Sequence, residues 1–309
     1  MRRRFCYALA LLPTVCVSIR VLTVGDRLAN AAVHLNQLGL RSATYTENGM
    51  WAPREFALES PSPTDAWAIV AIDGEAIVDD AAREFANKAA SSETAALVVA
   101  GVGEDGTAWL ELARSGAALV AVSEEELSLI EGWISDESQA LAAPYTPNLR
   151  ARAERLGEAL GSAERICVTR GASASAGASL WCNGGTRPNG MKKPDPFFEH
   201  AGMESAPGDD ASADGVPEAF LAALLTALLV DKVPPPKALE RACALGSYVA
   251  STSSAVPRHD DAPEALCALF RREAAQEPPK PAAYGGEAER RRAAMEAMDA
   301  ADGESDADD

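Results

Sequence analysis

Histidine is scarce in this chain, with only His34, His200 and His259 among 309 residues, and the six cysteines (Cys6, Cys16, Cys167, Cys182, Cys243 and Cys267) contain no C-x-x-C pair. A zinc site or a disulfide framework needs closely spaced thiols or imidazoles, so neither is expected, and the cysteines read as buried reduced thiols. Base is in deficit as well: 28 Lys and Arg stand against 46 Asp and Glu, a formal charge of −18. Six of those charges (Asp299, Asp302, Glu304, Asp306, Asp308 and Asp309) fall in the closing "DAADGESDADD", which has no base at all. A body of that sign excludes a surface that coats nucleic acid and says little about a small substrate. No G-x-G-x-x-G follows any strand-like run, which leaves a dinucleotide-binding enzyme as the weakest reading. No internal repeat is present.

A long transmembrane run is also missing. "MRRRFCYALALLPTVCVS" sets three arginines before an apolar stretch of roughly signal-peptide length, too short for a span and interrupted by Pro13. No small-residue cleavage site follows it. The expected location is cytoplasmic with no stable membrane span, and secretory or organelle targeting is the alternative. Residues 1–18 are read either as such a signal or as a truncated first strand.

What is there is an alternation. "IRVLTV", "AWAIVAI", "AALVVAGV" and "AALVAV" are short, continuously apolar and rich in β-branched residues. Between them lie helical patterns: "ANAAVHLNQLG", Glu75–Ala90, "TAWLELARSG" and "SEEELSLIEGWI". Repeated strand and helix with unbroken apolar strands predicts a mostly parallel sheet covered on both faces. "RICVTRGASASAGASLWCNGG" reads as two strands around a Gly/Ser turn. The stretch 183–215 reads as a long loop with one edge strand around Phe197 and Phe198. Two late helices, "PEAFLAALLTALLV" and "PKALERACALGSYVASTSS", are separated by a proline breaker, and 277–309 reads as a disordered acidic tail.

Several segments can carry chemistry. "GDRLANAAVHLNQLG" brings Gly25, Arg27 and Asn30 to a helix start, where backbone and side-chain donors can meet hydroxyls. "AVSEEELSLI" puts Glu126 in a first helical turn, where a carboxylate also favours the helix dipole. "ICVTRGASASAGASLW" sets Thr169, Gly171 and Ala172 at the end of a strand, the edge at which α/β proteins bind ligands. "DGVPEAFLAALLTALLV" runs a turn through Gly215, Val216, Pro217 and Glu218 into a long apolar helix, the layout of an anion site at a helix N-terminus.

In that order these motifs resemble the ribokinase/PfkB sugar-kinase family, with a first-motif spacing similar to its ketohexokinase-like members, over about Ile19 to Gln276. The resemblance implies an α/β fold, a ribokinase-like three-layer sandwich with a mostly parallel central sheet, occupying 19–276. Family members carry a β-lid over the sugar; only twenty-four residues precede Gly25 here, so the lid is expected to be reduced or missing. It implies ATP and Mg2+ as cofactors, a sugar substrate, phosphoryl transfer to a hydroxyl, and a possible homodimer.

Carried over residue by residue, the resemblance makes Glu218 the base and the Gly215 and Val216 amides an anion hole. It makes Glu126 the magnesium organiser and sets Thr169, Gly171, Ala172 and Gly246 against the nucleotide. Gly25, Arg27 and Asn30 become sugar contacts. The pattern departs from the family in several places, Ser123 for an asparagine and Ser254 for a common glycine among them. Asp26 and Arg27 replace a glycine and an asparagine. Pro217 and Glu218 replace a glycine and an aspartate, removing one N–H donor. Ser212 replaces a leading aspartate, with Asp209, Asp210 and Asp214 nearby. These departures keep open a second function, an inactive family member acting as a binding or scaffold protein.

Overall fold

The computed structural model describes residues 19–46, 49–51, 66–91, 95–138, 148–170, 177–184, 195–201 and 215–270. The apolar N-terminal segment, the acidic tail, Gly171, Ala172, Asp209, Asp210, Ser212 and Asp214 lie outside them. The described residues all fall in one compact unit.

In chain order the elements are β1 (Arg20–Val24), α1 (Ala29–Gln37), β2 (Arg41–Thr46), β3 (Gly49–Trp51), β4 (Ile69–Asp73) and α2 (Asp80–Ala90). Then come β5 (Ala96–Ala100), α3 (Gly106–Arg114), β6 (Leu119–Ser123), α4 (Glu124–Ser138), α5 (Leu149–Leu160) and β7 (Arg165–Thr169). The remainder are β8 (Gly177–Cys182), β9 (Phe197–Ala201), α6 (Val216–Leu225), α7 (Pro235–Ala250) and α8 (Glu264–Phe270). All nine strands form one sheet in the order β3-β2-β1-β4-β5-β6-β7-β8-β9. From β2 to β7 every neighbouring pair is parallel, while β3, β8 and β9 pair antiparallel at the two edges. Among the described residues no second β-layer covers this sheet. No helix among them is long and apolar enough to cross a membrane.

The unbroken apolar strands have a simple cause. Val21, Ile69, Val98 and Leu119 join a core with α1, α6 and α7 on one face, while their neighbours Leu22, Val70, Val99 and Val120 join a core with α2 to α5 on the other. A strand buried on both sides needs an apolar residue at every position. The helix starts are capped as their sequences suggest: Asp79, Asp105 and Asn148 accept from the backbone N–H of Ala81, Ala108 and Arg150. The segment Glu75–Ala90, expected as one helix, instead begins as a 3-10 turn over Glu75–Val78, and α2 starts afresh at Asp80.

The sequence reading contained no strand at "RSATYT", which forms β2. Its inward positions are polar, so no apolar run marks it, and the polarity is satisfied internally. Ser42 Oγ donates to the Ala32 carbonyl at 2.5 Å, the Ser42 N–H donates to Asn36 Oδ1 at 3.1 Å, and the Thr23 and Thr44 hydroxyls meet at 2.8 Å.

The sheet order also locates a crevice. From β1 the chain crosses by α1 to β2 on one side, and from β4 by α2 to β5 on the other. Right-handed crossovers in opposite directions put α1 and α2 on opposite faces. The C-terminal ends of β1 and β4 are therefore the topological switch point, where open α/β sheets bind their ligands.

Candidate active site

Gly25 ends β1 at the switch point and Asp73 ends β4 beside it. Gly25 is held at φ 110°, and a Cβ there would sit 2.7 Å from the Asp73 Cβ, so only glycine lets the two strand ends close on each other. Its N–H donates to the Tyr45 carbonyl at 2.9 Å. A cleft of about 160 Å³ opens at this point, lined by Gly25, Asp26 and Arg27 from the β1 turn, Tyr45 and Thr46 from β2, and Asp73, Glu75 and Asp79 from the loop after β4. Arg27 reaches across it to pair with the Glu75 carboxylate. Asn30, in the first turn of α1, is half-buried and lies outside the cleft wall.

Asp73 is the residue that sequence reasoning missed. It is 4% exposed, and Oδ1 accepts from the Glu75 N–H at 3.2 Å. Burial is the main cause that pushes its carboxyl up to about 6. The Glu75 N–H and Arg27 pull it down, while the Glu75 and Glu126 charges push it up. The signal was present in "AIVAIDGEA": an acid closing a wholly buried apolar strand is costly unless the site uses it.

Glu126 lies one loop further along the same edge. A Cβ on Gly101 would be 3.3 Å from Glu126 Oε1 and 3.7 Å from Asp73 Oδ1, so the two carboxylates flank that glycine. Oε2 accepts from the Ser123 N–H at 2.6 Å and Oε1 from the Val102 N–H at 3.3 Å, while Ser123 Oγ accepts from the Glu126 N–H at 3.2 Å. Ser123 and Glu126 thus form a reciprocal capping box that starts α4 and ties it to the loop after β5. Thr169 ends β7 directly opposite Ser123 in the parallel register, next to that cap. Gly25, Asp73, Glu126 and Thr169 therefore share the C-terminal edge of the parallel strands.

The α6 corner is built differently. Gly215 is the N-cap in the left-handed conformation (φ 80°, ψ −7°). A Cβ there would lie 2.1 Å from the Ala255 carbonyl oxygen, so backbone of the loop after α7 fills the space beside it. That carbonyl accepts from His34 Nε2 of α1 at 3.2 Å, and His34 Nδ1 meets His259 Nε2 at 3.1 Å. Because a carbonyl only accepts, His34 carries its proton on Nε2, and His259 donates to Nδ1. Val216 is fully buried, Pro217 occupies the first turn without a donor, and Glu218 is half-buried with Oε2 shielded from solvent. Gly246 faces α6 from α7: a Cβ on it would touch Val216 Cγ1 and Phe220 Cβ at 3.6 Å each. The surface it presents is the one on which the two helices pack. Gly171 and Ala172 lie outside the described residues.

No family model matches the sequence, and no curated protein matches it. Solved structures do. Ribokinase from Cryptococcus neoformans var. grubii serotype A, in complex with ADP, superposes with a TM-score of 0.53 at 14% identity, over 82% of this chain and 99% of that one. A phosphofructokinase-2 mutant from Escherichia coli superposes with a TM-score of 0.51 at 15% identity, over 78% of this chain and 86% of that one. The chain has the ribokinase-like fold.

Proposed function

We propose that this protein is a small-molecule kinase of the ribokinase type, transferring the γ-phosphoryl group of ATP to a hydroxyl of a sugar or related polyol. The observation that carries the reading is a cleft at the switch point of this fold lined by Gly25 and Asp73, with Glu126 beyond Gly101 on the same sheet edge. Phosphoryl transfer is mostly positioning and charge stabilisation. In this reading Gly25, Arg27 and Asn30 lie on the acceptor side, and Thr169, Gly171, Ala172 and Gly246 on the nucleotide side. The Gly215 and Val216 amides receive the transferred group, since the first N–H groups of a helix have no intrahelical carbonyl. Glu218 takes the proton of the attacking hydroxyl, one methylene longer than an aspartate in the same place.

Magnesium would be bound together with the nucleotide. No group of three or more ligating side chains converges among the described residues, which fits an ion that keeps its waters and takes phosphate oxygens. Glu126 is the side chain that would hold such a water through its remaining lone pairs, and the ion would spread charge on the transferring group.

A second reading, binding without transfer, is favoured by the Ala255 backbone against Gly215, by full burial of Val216 and by the missing donor at Pro217. Titration with ATP and magnesium, followed by ADP release over a sugar panel, separates the two. A kinase gains thermal stability from the nucleotide and releases ADP, and Glu218→Gln loses the release. Stabilisation without release on any acceptor supports the scaffold, and no nucleotide effect removes both.

A further inference from the structure

The cleft at the switch point has a one-sided charge. Among the described residues four carboxylates line it (Asp26, Asp73, Glu75 and Asp79) against one guanidinium, that of Arg27, which Glu75 already neutralises. Asp79 is occupied in part by capping α2. Asp73 is not occupied in the same way. Its Oδ1 takes one backbone N–H, and among the described residues its Oδ2 makes no hydrogen bond or ion pair, yet the residue is 4% exposed and forms part of the cleft wall beside Gly25.

Among the described residues the charges facing Asp73 are Arg27 from the turn after β1, Glu75 from its own loop and Glu126 from α4, two acids against one base. A neutral hydroxyl can hydrogen-bond Oδ2 but leaves a buried negative charge poorly compensated, and an anion adds to it. A cationic ligand supplies the charge that the described residues do not.

We infer that this cleft selects a hydroxylated small molecule carrying an ammonium group, an amino sugar or amino polyol, over neutral and anionic counterparts, with Asp73 meeting the ammonium. The hydroxyl to be phosphorylated rests on the kinase reading; the charge selection rests on the cleft alone. Two further features agree. Tyr45, whose ring stacks on Phe85 with centroids 4.3 Å apart, adds an aromatic to the wall, and such rings attract cations. Asp73 is held near 6 mainly by burial, so an ammonium that stabilises its ionised form expels a proton when it binds below that pH.

The test is calorimetric, without nucleotide, on the full chain. D-Glucosamine and 1-amino-1-deoxysorbitol are compared with D-glucose, sorbitol and D-glucose 6-phosphate at pH 7, and the amines again at pH 5.5 in two buffers of different ionisation enthalpy. The amines are expected to bind about tenfold tighter than their neutral counterparts, the phosphate not at all, and amine binding at pH 5.5 to release protons. Asp73→Asn brings amine and neutral ligands within about threefold and abolishes the release. Asp26→Asn, at an exposed position, lowers amine affinity by a smaller factor and guards against a folding defect in the first variant. Equal or tighter binding of the neutral or phosphorylated ligands, or no binding by any, overturns the inference. ADP release on neutral sugars would then still sustain the kinase reading. Amine binding with no ADP release on any acceptor leaves the inference standing and removes the kinase.

Discussion

Two corners of this molecule offer a glycine, a carboxylate and a helix start, and the chain treats them in opposite ways. At the switch point Gly25 makes room for the side chain of Asp73, and the result is an open, acidic cleft. At α6 Gly215 makes room for the backbone of Ala255, so the chain itself occupies the space, and a histidine pair pins that backbone from behind. The first corner leaves a charged group poorly compensated, which costs stability and creates a binding demand. The second is packed, which contributes stability and restricts what can approach. Sites for ligands are drawn from the first kind of place.

The contrast can be broken most severely at Gly215. Gly215→Ala combines a left-handed backbone with overlap on a carbonyl oxygen, and a loss of roughly 3–4 kcal/mol is expected. In thermal denaturation that corresponds to about 10 °C for a chain of this size. A variant of unchanged melting temperature would mean that Ala255 yields easily and the corner can open.

Acid should loosen the same corner. Burial, with the charge of His34 adding to it at His259, lowers both imidazoles to about 4 from 6.5. Below 6.5 the unfolded chain binds protons that the native pair refuses. The stability is therefore fully present above that pH and is lost as pH falls towards 4, by on the order of 3 kcal/mol. The first proton can be shared across the Nδ1···Nε2 contact, while a second sets two N–H groups head to head. Melting curves between pH 7 and 4 for the wild type and the His34→Gln/His259→Gln double variant test this, and the variant should show the shallower slope.

Glu218→Gln sharpens the comparison from the side of function. It keeps the shape of the first turn and removes the proposed base, so ADP release should fall about a hundredfold or more while the melting temperature moves little. An unaltered rate would take Glu218 out of the chemistry.

Asp73→Asn should do the reverse, raising stability at the expense of binding. The folded carboxyl titrates near 6 instead of 3.8, so its contribution is present below 3.8 and is lost as pH rises through 6. At pH 8 the asparagine variant is expected to be more stable than the wild type by about 3 kcal/mol, with the difference falling below about 1 kcal/mol near pH 4. Urea titrations at the two pH values read it directly.

The smallest effect is expected at Arg27→Ala. Its partner Glu75 and Arg27 itself are both about half exposed, so the pair contributes under about 1 kcal/mol, and less at high salt. A larger loss would mean that Arg27 holds the cleft mouth in shape.

Much of the fold was legible in the residues. The unbroken apolar strands, "AALVVAGV" among them, read as a parallel sheet covered on both faces, because burial on two sides leaves no polar position. β2 was not legible, since Ser42 and Thr44 look like loop residues until Ala32, Asn36 and Thr23 supply their hydrogen bonds. The site was legible only in part. Gly25, Arg27 and Glu126 were singled out through motif order, and the structure sets them along the C-terminal edge of the parallel strands. Asp73 was passed over because a lone acid at a strand end has no motif, and its significance appears only when Gly25 and Glu126 come up beside it. Gly246 and Gly215 stood out as small residues, and spacing alone could not say whether their missing side chains make space for a ligand, for α6 or for Ala255.

The sequence by itself determined the layered architecture, the two-sided burial and the places where strands hand over to helices, because those depend on periodicity and local propensity along the chain. Only the tertiary structure decided which glycine faces a cleft and which faces backbone, and which carboxylate is left poorly compensated. Burial and electrostatic compensation are set by groups far apart in sequence, Gly25 with Asp73 and His34 with Ala255, and no local pattern records who the neighbour is.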